Sequence, residues 1–351
     1  MIRSLSVVLL VLMMPGVYSA AQQPASQSPI RIWGHGALGH DYIESLVTKW
    51  ESGFRKTHPE VRFDNELHGT ASAIGALYTG TGDIAIMGRE IWPVEVEAFT
   101  DMRGYPPLGI DIVTGSLDVR NKDFALVVFV NRNNPLAHLS LPQLARLFGA
   151  EQTPLSTWGE LGLRGEWTTR PIHLYGFEIH RGFGYYLEQR VFNGNSKWNP
   201  ALVELGDVKR PDGSLLDAGQ RIVDAVGGDP DAIGYSSLLY KSPNIRAVPI
   251  GPAGGPFLLA THQTVADHTY ALTRSITAYI DKPPGKSADP RVEEFLRYVL
   301  SAEGQQAVIE DGGYTALPPA LAKAEAAKLS SPTSKRSPKH FASEHLIEHD
   351  P

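Results

Sequence analysis

Strand-like and helix-like segments alternate from residue 30 to about residue 118, and that alternation restricts the fold more than any other property of the chain. Ile30–Trp33 is a short apolar run that ends in a glycine-rich turn. Asp41–Phe54 carries Tyr42, Leu46, Trp50 and Phe54 at helical spacing. Val61–Leu67 reads as a strand, Ala73–Tyr78 as a helix and Asp83–Met87 (DIAIM) as a short buried strand. Strand, helix, strand, helix, strand is the order of a parallel α/β sheet. Phe124–Asn131 (FALVVFVN) is the most strongly β run in the chain, and Asn133-Asn134-Pro135 ends it. A second α/β stretch follows from Leu141 to about Tyr240. Asp289-Pro290 then opens a helix with Val292, Phe295, Leu296, Val299 and Leu300 at helical spacing, and a further helix over about Gly304–Glu310 ends at Gly312-Gly313.

Both ends of the chain lie outside that pattern. Arg3, the apolar run Leu5–Met14 and the small residues Ser19-Ala20-Ala21 form a secretory signal over residues 1–21, with cleavage before Gln22. The apolar run is too short to span a membrane core, which needs about 20 residues. A soluble, exported mature protein, periplasmic or secreted, is therefore expected. From Pro318 onward the composition turns to Ala, Lys, Ser and Pro. Residues 319–351 read as a disordered tail that keeps at most a short helix near Leu321–Leu329 and has nothing large to pack. Cysteine is absent, which excludes disulfides, thiolate metal sites and a lipid-modified N-terminus. The formal net charge of −6 gives no basic surplus for nucleic acid, and none is expected as a partner.

Three glycine turns carry the chemistry. Gly34-His35-Gly36-Ala37-Leu38-Gly39 matches G-x-G-x-x-G between a strand and a helix, with Asp64 about 25 residues on. The bulky His35 and the export signal argue against a dinucleotide. His68-Gly69-Thr70-Ala71-Ser72 repeats the arrangement and adds hydroxyl groups. His180-Arg181-Gly182-Phe183-Gly184 adds a guanidinium between the strand Ile172–Tyr175 and the helix Tyr185–Val191. Each turn aims free backbone N–H groups and about +0.5 of dipole charge at one point, which suits an anion. Arg89, just beyond the DIAIM strand, is a fourth candidate. No hydrolase, metalloprotease or Walker signature is present. His35 and His40 lack the spacing and the acidic company of a metal site. No catalytic residue, metal or cofactor is expected.

The segments GTASAIGAL and GDIAIMGREI resemble the phosphate-binding proteins of phosphate ABC transporters, which have the type 2 periplasmic-binding-protein fold. NRNNPLAHLSLPQLARLFG, AIGYSSLLY, YALTRSITAYIDKPP and VEEFLRYVLSAEGQQAVIEDGGYTALP extend the similarity over about residues 30–318. The resemblance implies two α/β lobes, each a mostly parallel sheet flanked by helices. Lobe one would combine residues 30–118 with 268–318, and lobe two would be 119–267. It implies an exported protein, expected to be a monomer, that captures phosphate or a related oxyanion between the lobes for a membrane permease. The ligand-binding positions would be His35, Gly36, Ala37, Thr70, Ala71, Ser72, Arg89, His180, Arg181, Gly182 and Phe183. Thr70 falls on the family's phosphate-contacting Ser. Phe177, Arg181 and Phe183 fall on its Arg, Ser and Thr, so the positive charge would have moved along the loop to Arg181. The same fold with an altered ligand, or with an enzymatic or interaction role in place of transport, fits these residues as well.

Overall fold

The computed structural model describes residues 28–37 and 40–330. The expected signal segment 1–21, residues 22–27, Leu38-Gly39 and residues 331–351 lie outside them. The first half runs β1 (Ile30–Gly34), α1 (Glu44–Phe54), β2 (Phe63–Glu66), α2 (Ala73–Thr79), β3 (Ile84–Met87), α3 (Pro93–Arg103) and β4 (Leu108–Thr114). The chain then crosses to β5 (Val127–Asn131), β6 (Leu139–Ser140), α4 (Leu141–Phe148), β7 (His173–Phe177), α5 (Gly182–Val191) and β8 (Leu202–Leu205). A small hairpin, β9 (Val208–Lys209) and β10 (Leu215–Leu216), leads to α6 (Ala218–Gly228), β11 (Ala232–Ser236), β12 (Ile245–Ala247), β13 (Ile250–Gly251) and α7 (His262–Ala266). The return is β14 (Ser275–Ile280), followed by α8 (Pro290–Val299), α9 (Ala302–Asp311) and α10 (Pro319–Ser330).

Two five-stranded sheets result, ordered β2-β1-β3-β14-β4 and β12-β5-β11-β7-β8. In the first, β14 runs against β3 and β4, while β1 pairs in parallel with β2 and β3. In the second, β5 runs against β11 and β12, while β7 pairs in parallel with β8 and β11. The reversed strand of each sheet is therefore the one that brings the chain across from the other sheet. Each sheet has its own apolar core: Ile30, Ile32, Ile84, Ile110 and Ile276 in the first, Val128, Val130, Leu174 and Ile233 in the second. Strands β3 and β5 are buried at every position, because helices cover both faces. The mixed α/β architecture read from the sequence is the one observed. Among the described residues no helix is long and apolar enough to cross a membrane.

Two local expectations need correction. The helix expected from Asp41 begins at Glu44, because the Asp41 carboxylate accepts the Ser45 N–H and caps the turn from outside. The helix allowed near Leu321–Leu329 is present and longer, and within the expected tail residues 319–330 are packed. Pro319 starts a run of good helix formers, and α10 buries Ala322, Glu325 and Leu329 against the first sheet's core. The Glu325 carboxylate accepts the Asp111 N–H of edge strand β4 at 2.9 Å. The buried Lys282 ammonium donates to the carbonyls of Lys328 and Leu329 at the helix end, at 3.0 and 2.6 Å. Small apolar residues suffice because charged groups hold one face of this helix and its C-terminal end.

Leu329 is 1% exposed. Leu329→Ala is expected to destabilise by about 2–5 kcal/mol. At roughly 2–4 °C per kcal/mol for a domain of this size, a thermal melt should fall by about 4–20 °C. An unchanged midpoint would mean that α10 contributes nothing to the fold.

Candidate functional site

Between the two sheets lies a cleft of about 780 Å³. The glycine turns bring residues to it from both sides, and the crossing segments supply its floor. Gly34 has φ +127°, and a Cβ there would overlap the Ile86 carbonyl, so only glycine lets β1 turn against β3. From the first half come His35, Gly36, Ala37, Thr70 and Arg89; from the second come Arg181, Gly182 and Phe183. Ala71, Ser72 and His180 do not line it. All three are exposed, and the Ser72 hydroxyl donates back to the Gly69 carbonyl. Thr70 Oγ1 accepts the Gly88 N–H at 3.3 Å, which turns the hydroxyl toward the strand end. Helix α5 starts at Gly182 with no side-chain cap. A Cβ built on Gly182 would lie 3.2 Å from that of Arg89, so the two halves already meet there.

The cationic candidates are engaged within the protein. Arg89 forks onto Glu95 at 2.8 and 2.7 Å and stacks 3.9 Å from the Trp92 ring. Arg181 is 75% exposed and pairs with Glu178 at 3.1 Å, so the charge moved along the loop points mainly to solvent. Arg120 pairs with Asp217 at 2.7 Å. Lys122 donates to the carbonyls of Asp41 and Tyr42 at 2.9 and 2.8 Å, which fastens the crossing segment to the first half.

The centre of the floor is a group that sequence reasoning missed. Arg274, 2% exposed, stands directly before β14. Its guanidinium donates to Glu90 at 3.1 and 3.0 Å and lies 3.7 Å from Asp123. It also sits 5.0 Å from the rings of both Phe183 and Tyr186. Burial disfavours its charge, and Glu90 and Asp123 more than restore it. His35 Nε2 is 2.9 Å from Asp123 Oδ2 and 2.7 Å from the Tyr314 hydroxyl. Gly88 has no room for a Cβ, which would overlap the His35 ring. Burial pushes the Asp123 carboxyl up, but His35 and Arg274 outweigh it, so it stays below the usual carboxylate range. The available signal was position: Lys122-Asp123 stands just before the strongest β run, and Arg274 just before the returning strand. Among the described residues no group of three His, Cys, Asp or Glu is placed to hold a metal.

Two α/β halves joined by two crossing segments, with a cleft lined from both, define the class of two-lobed binding proteins. No family model matches the chain. The phosphate-binding protein PstS of Pseudomonas aeruginosa PAO1 is 30% identical over 294 residues, covering 82% of this chain and 84% of that protein. PstS of Staphylococcus haemolyticus is 23% identical over 80% of both chains. Among solved structures, an ABC-type phosphate transport receptor from Vibrio cholerae aligns with TM-score 0.52 at 18% identity, covering 82% of this chain and all of that one. PstS from Borrelia burgdorferi aligns with TM-score 0.55 at 14% identity, covering 83% and 100%. The chain belongs to the PstS phosphate-binding protein family.

A carboxylate whose folded pKa is depressed stabilises the fold above its unfolded pKa of about 3.9, and that contribution is lost as pH falls through the folded value. Asp123→Asn should therefore lower the thermal midpoint at pH 7, and the gap to wild type should narrow toward pH 3. A gap independent of pH would show that the Asp123 charge is not what holds Arg274.

Proposed function

We propose that this protein is an exported solute-binding protein that captures phosphate or a related oxyanion between two lobes and presents it to a membrane permease. The lobes are taken as residues 30–118 with 268–318, now extended by α10, and 119–267. The observation that carries the reading is the 30% identity with a PstS protein over more than four fifths of both chains. The cleft supports it from the other side. Thr70 offers a hydroxyl, and the turns at Gly36 and Gly182 offer backbone amides on facing walls. Amides and hydroxyls hold an oxyanion by hydrogen bonds that need no free cation. With Arg89, Arg181 and Arg274 each paired to a carboxylate, the affinity rests on those donors. Closure about the two crossing segments would bring the walls together on the ligand.

The test is a thermal-shift screen over phosphate, sulfate, molybdate, phosphonates and carboxylates, followed by calorimetric titration of whatever shifts the melt. A phosphorus oxyanion, free or esterified, is expected to bind at one saturable site. A hydrogen bond to a charged group contributes about 1.5–3 kcal/mol, so Thr70→Ala should weaken that binding by roughly 10- to 150-fold. Binding of none of these anions would refute the reading.

A further inference from the structure

Around Arg274 the carboxylates outnumber the permanent cations by one. Arg274 faces Glu90 at 3.0 Å and Asp123 at 3.7 Å, and its fork is closed on Glu90. The other cations of the cleft cannot make up the difference. Arg89 pairs with Glu95, Arg120 with Asp217, Arg181 with Glu178 and Lys122 with Asp41. Asp207, at the foot of the hairpin, accepts the Ala218 N–H instead. Asp123 therefore carries the surplus negative charge. Burial opposes that charge, yet His35 and Arg274 outweigh burial and keep the carboxylate ionised.

His35 stands against this surplus. Its Nε2 is 2.9 Å from Asp123 Oδ2 and 2.7 Å from the Tyr314 hydroxyl, and the residue is 5% exposed. Its Nδ1 lies over Gly88, the residue whose N–H Thr70 Oγ1 accepts. The ring thus reaches from the Asp123 carboxylate to the strand end where the anion is to be held. The groups that bear on its charge come from every neighbouring element. Asp123 and Lys122 stand before β5, Arg274 before β14, Glu90 after β3, Tyr42 before α1 and Tyr314 after α9. Burial keeps both phenols neutral. Beyond Tyr42 lies only the exposed His40.

With a neutral His35 the floor keeps one net negative charge, which repels an anion entering above it. An imidazolium brings the floor to neutrality, and imidazole is the side chain that ordinarily titrates near neutral pH. We propose that His35 takes up a proton from solvent when the anion binds, so that the cleft captures phosphate together with a proton. The inference rests on the anion-binding reading above and deepens it. The imidazolium stays paired with Asp123, so it removes the repulsion without becoming a free cation. Because the anion favours the protonated ring, the protonated ring favours the anion by the same factor. Affinity is therefore highest on the acid side of the ring's titration and falls through it, by up to about tenfold per pH unit.

The experiment follows the assigned His35 ring resonances of the protein through a pH titration, with and without saturating orthophosphate. Orthophosphate is expected to raise the His35 midpoint by about one pH unit or more, a tenfold coupling. The midpoint of His173, on β7 and outside the cleft lining, should stay in place. Calorimetry in buffers of different ionisation enthalpy then counts protons. His35→Gln should take up fewer than wild type, since the ionisation of orthophosphate itself is common to both. Tyr314→Phe, which keeps the His35–Asp123 pair, should retain the uptake. A His35 midpoint unmoved by bound orthophosphate, or equal uptake by wild type and His35→Gln, overturns this inference and leaves the anion reading standing. Orthophosphate that binds at no pH overturns it too, and if no other oxyanion binds either, the anion reading falls with it.

Discussion

A buried guanidinium must be neutralised and hydrogen-bonded on the spot, and the placing of Arg274 makes that requirement the organising constraint of the molecule. Removing one partner from a buried ion pair typically costs about 3–5 kcal/mol, because the other charge is left uncompensated. Glu90, just past β3, and Asp123, just before β5, supply the compensating charge. Phe183 and Tyr186 of α5 supply ring faces. Arg274 itself leads into β14, the strand that completes the first sheet. One cation thus ties the first sheet, one crossing segment and helix α5 of the second half. Tyr186 reinforces the tie by donating its hydroxyl to the Thr273 carbonyl at 2.9 Å.

The same constraint shapes the cleft. A floor whose charges satisfy one another presents little free charge to the cleft, and Thr70 and the turns at Gly36 and Gly182 are among the other groups that line it. Arg89 illustrates this. Its fork on Glu95 also leaves Glu95 Oε2 to accept the Trp92 N–H at 2.8 Å, so the arginine serves the start of α3 as much as the cleft. Tyr42 and Tyr240 sit near Asp207 and Asp217, and burial together with those carboxylates raises the pKa of both phenols. They line the cleft as neutral hydrogen-bonding and stacking surfaces.

Much of the fold was legible because its signals are local. DIAIM and FALVVFVN are largely apolar runs, and each contains a fully buried strand, Ile84–Met87 and Val127–Asn131. Three of the four residues expected on the first helix face, Leu46, Trp50 and Phe54, are buried there. The fourth, Tyr42, precedes the helix and lines the cleft, since capping by Asp41 sets the boundary that spacing alone does not show. The packing of α10 was hidden by composition. Its small residues look unfit for a core until Asp111 and Lys282, more than 40 residues away, supply the anchoring hydrogen bonds. The glycine turns were readable as turns between strand and helix, and they reach the cleft, but the sequence is silent on pairing. That Glu95 takes Arg89, or that Glu178 takes Arg181, depends on three-dimensional reach, as does the convergence of Glu90, Asp123 and Arg274 from three parts of the chain.

The central claim is the proposal that backbone amides and the Thr70 hydroxyl of the interlobe cleft, rather than free cations, hold a phosphorus oxyanion. Backbone amide resonances measured during titration of the protein with orthophosphate test it most directly. The account predicts saturable shifts concentrated at Gly36, Thr70, Gly88, Gly182 and Phe183, all with one dissociation constant. Saturable shifts confined to residues away from the cleft, with these five unmoved, would contradict it.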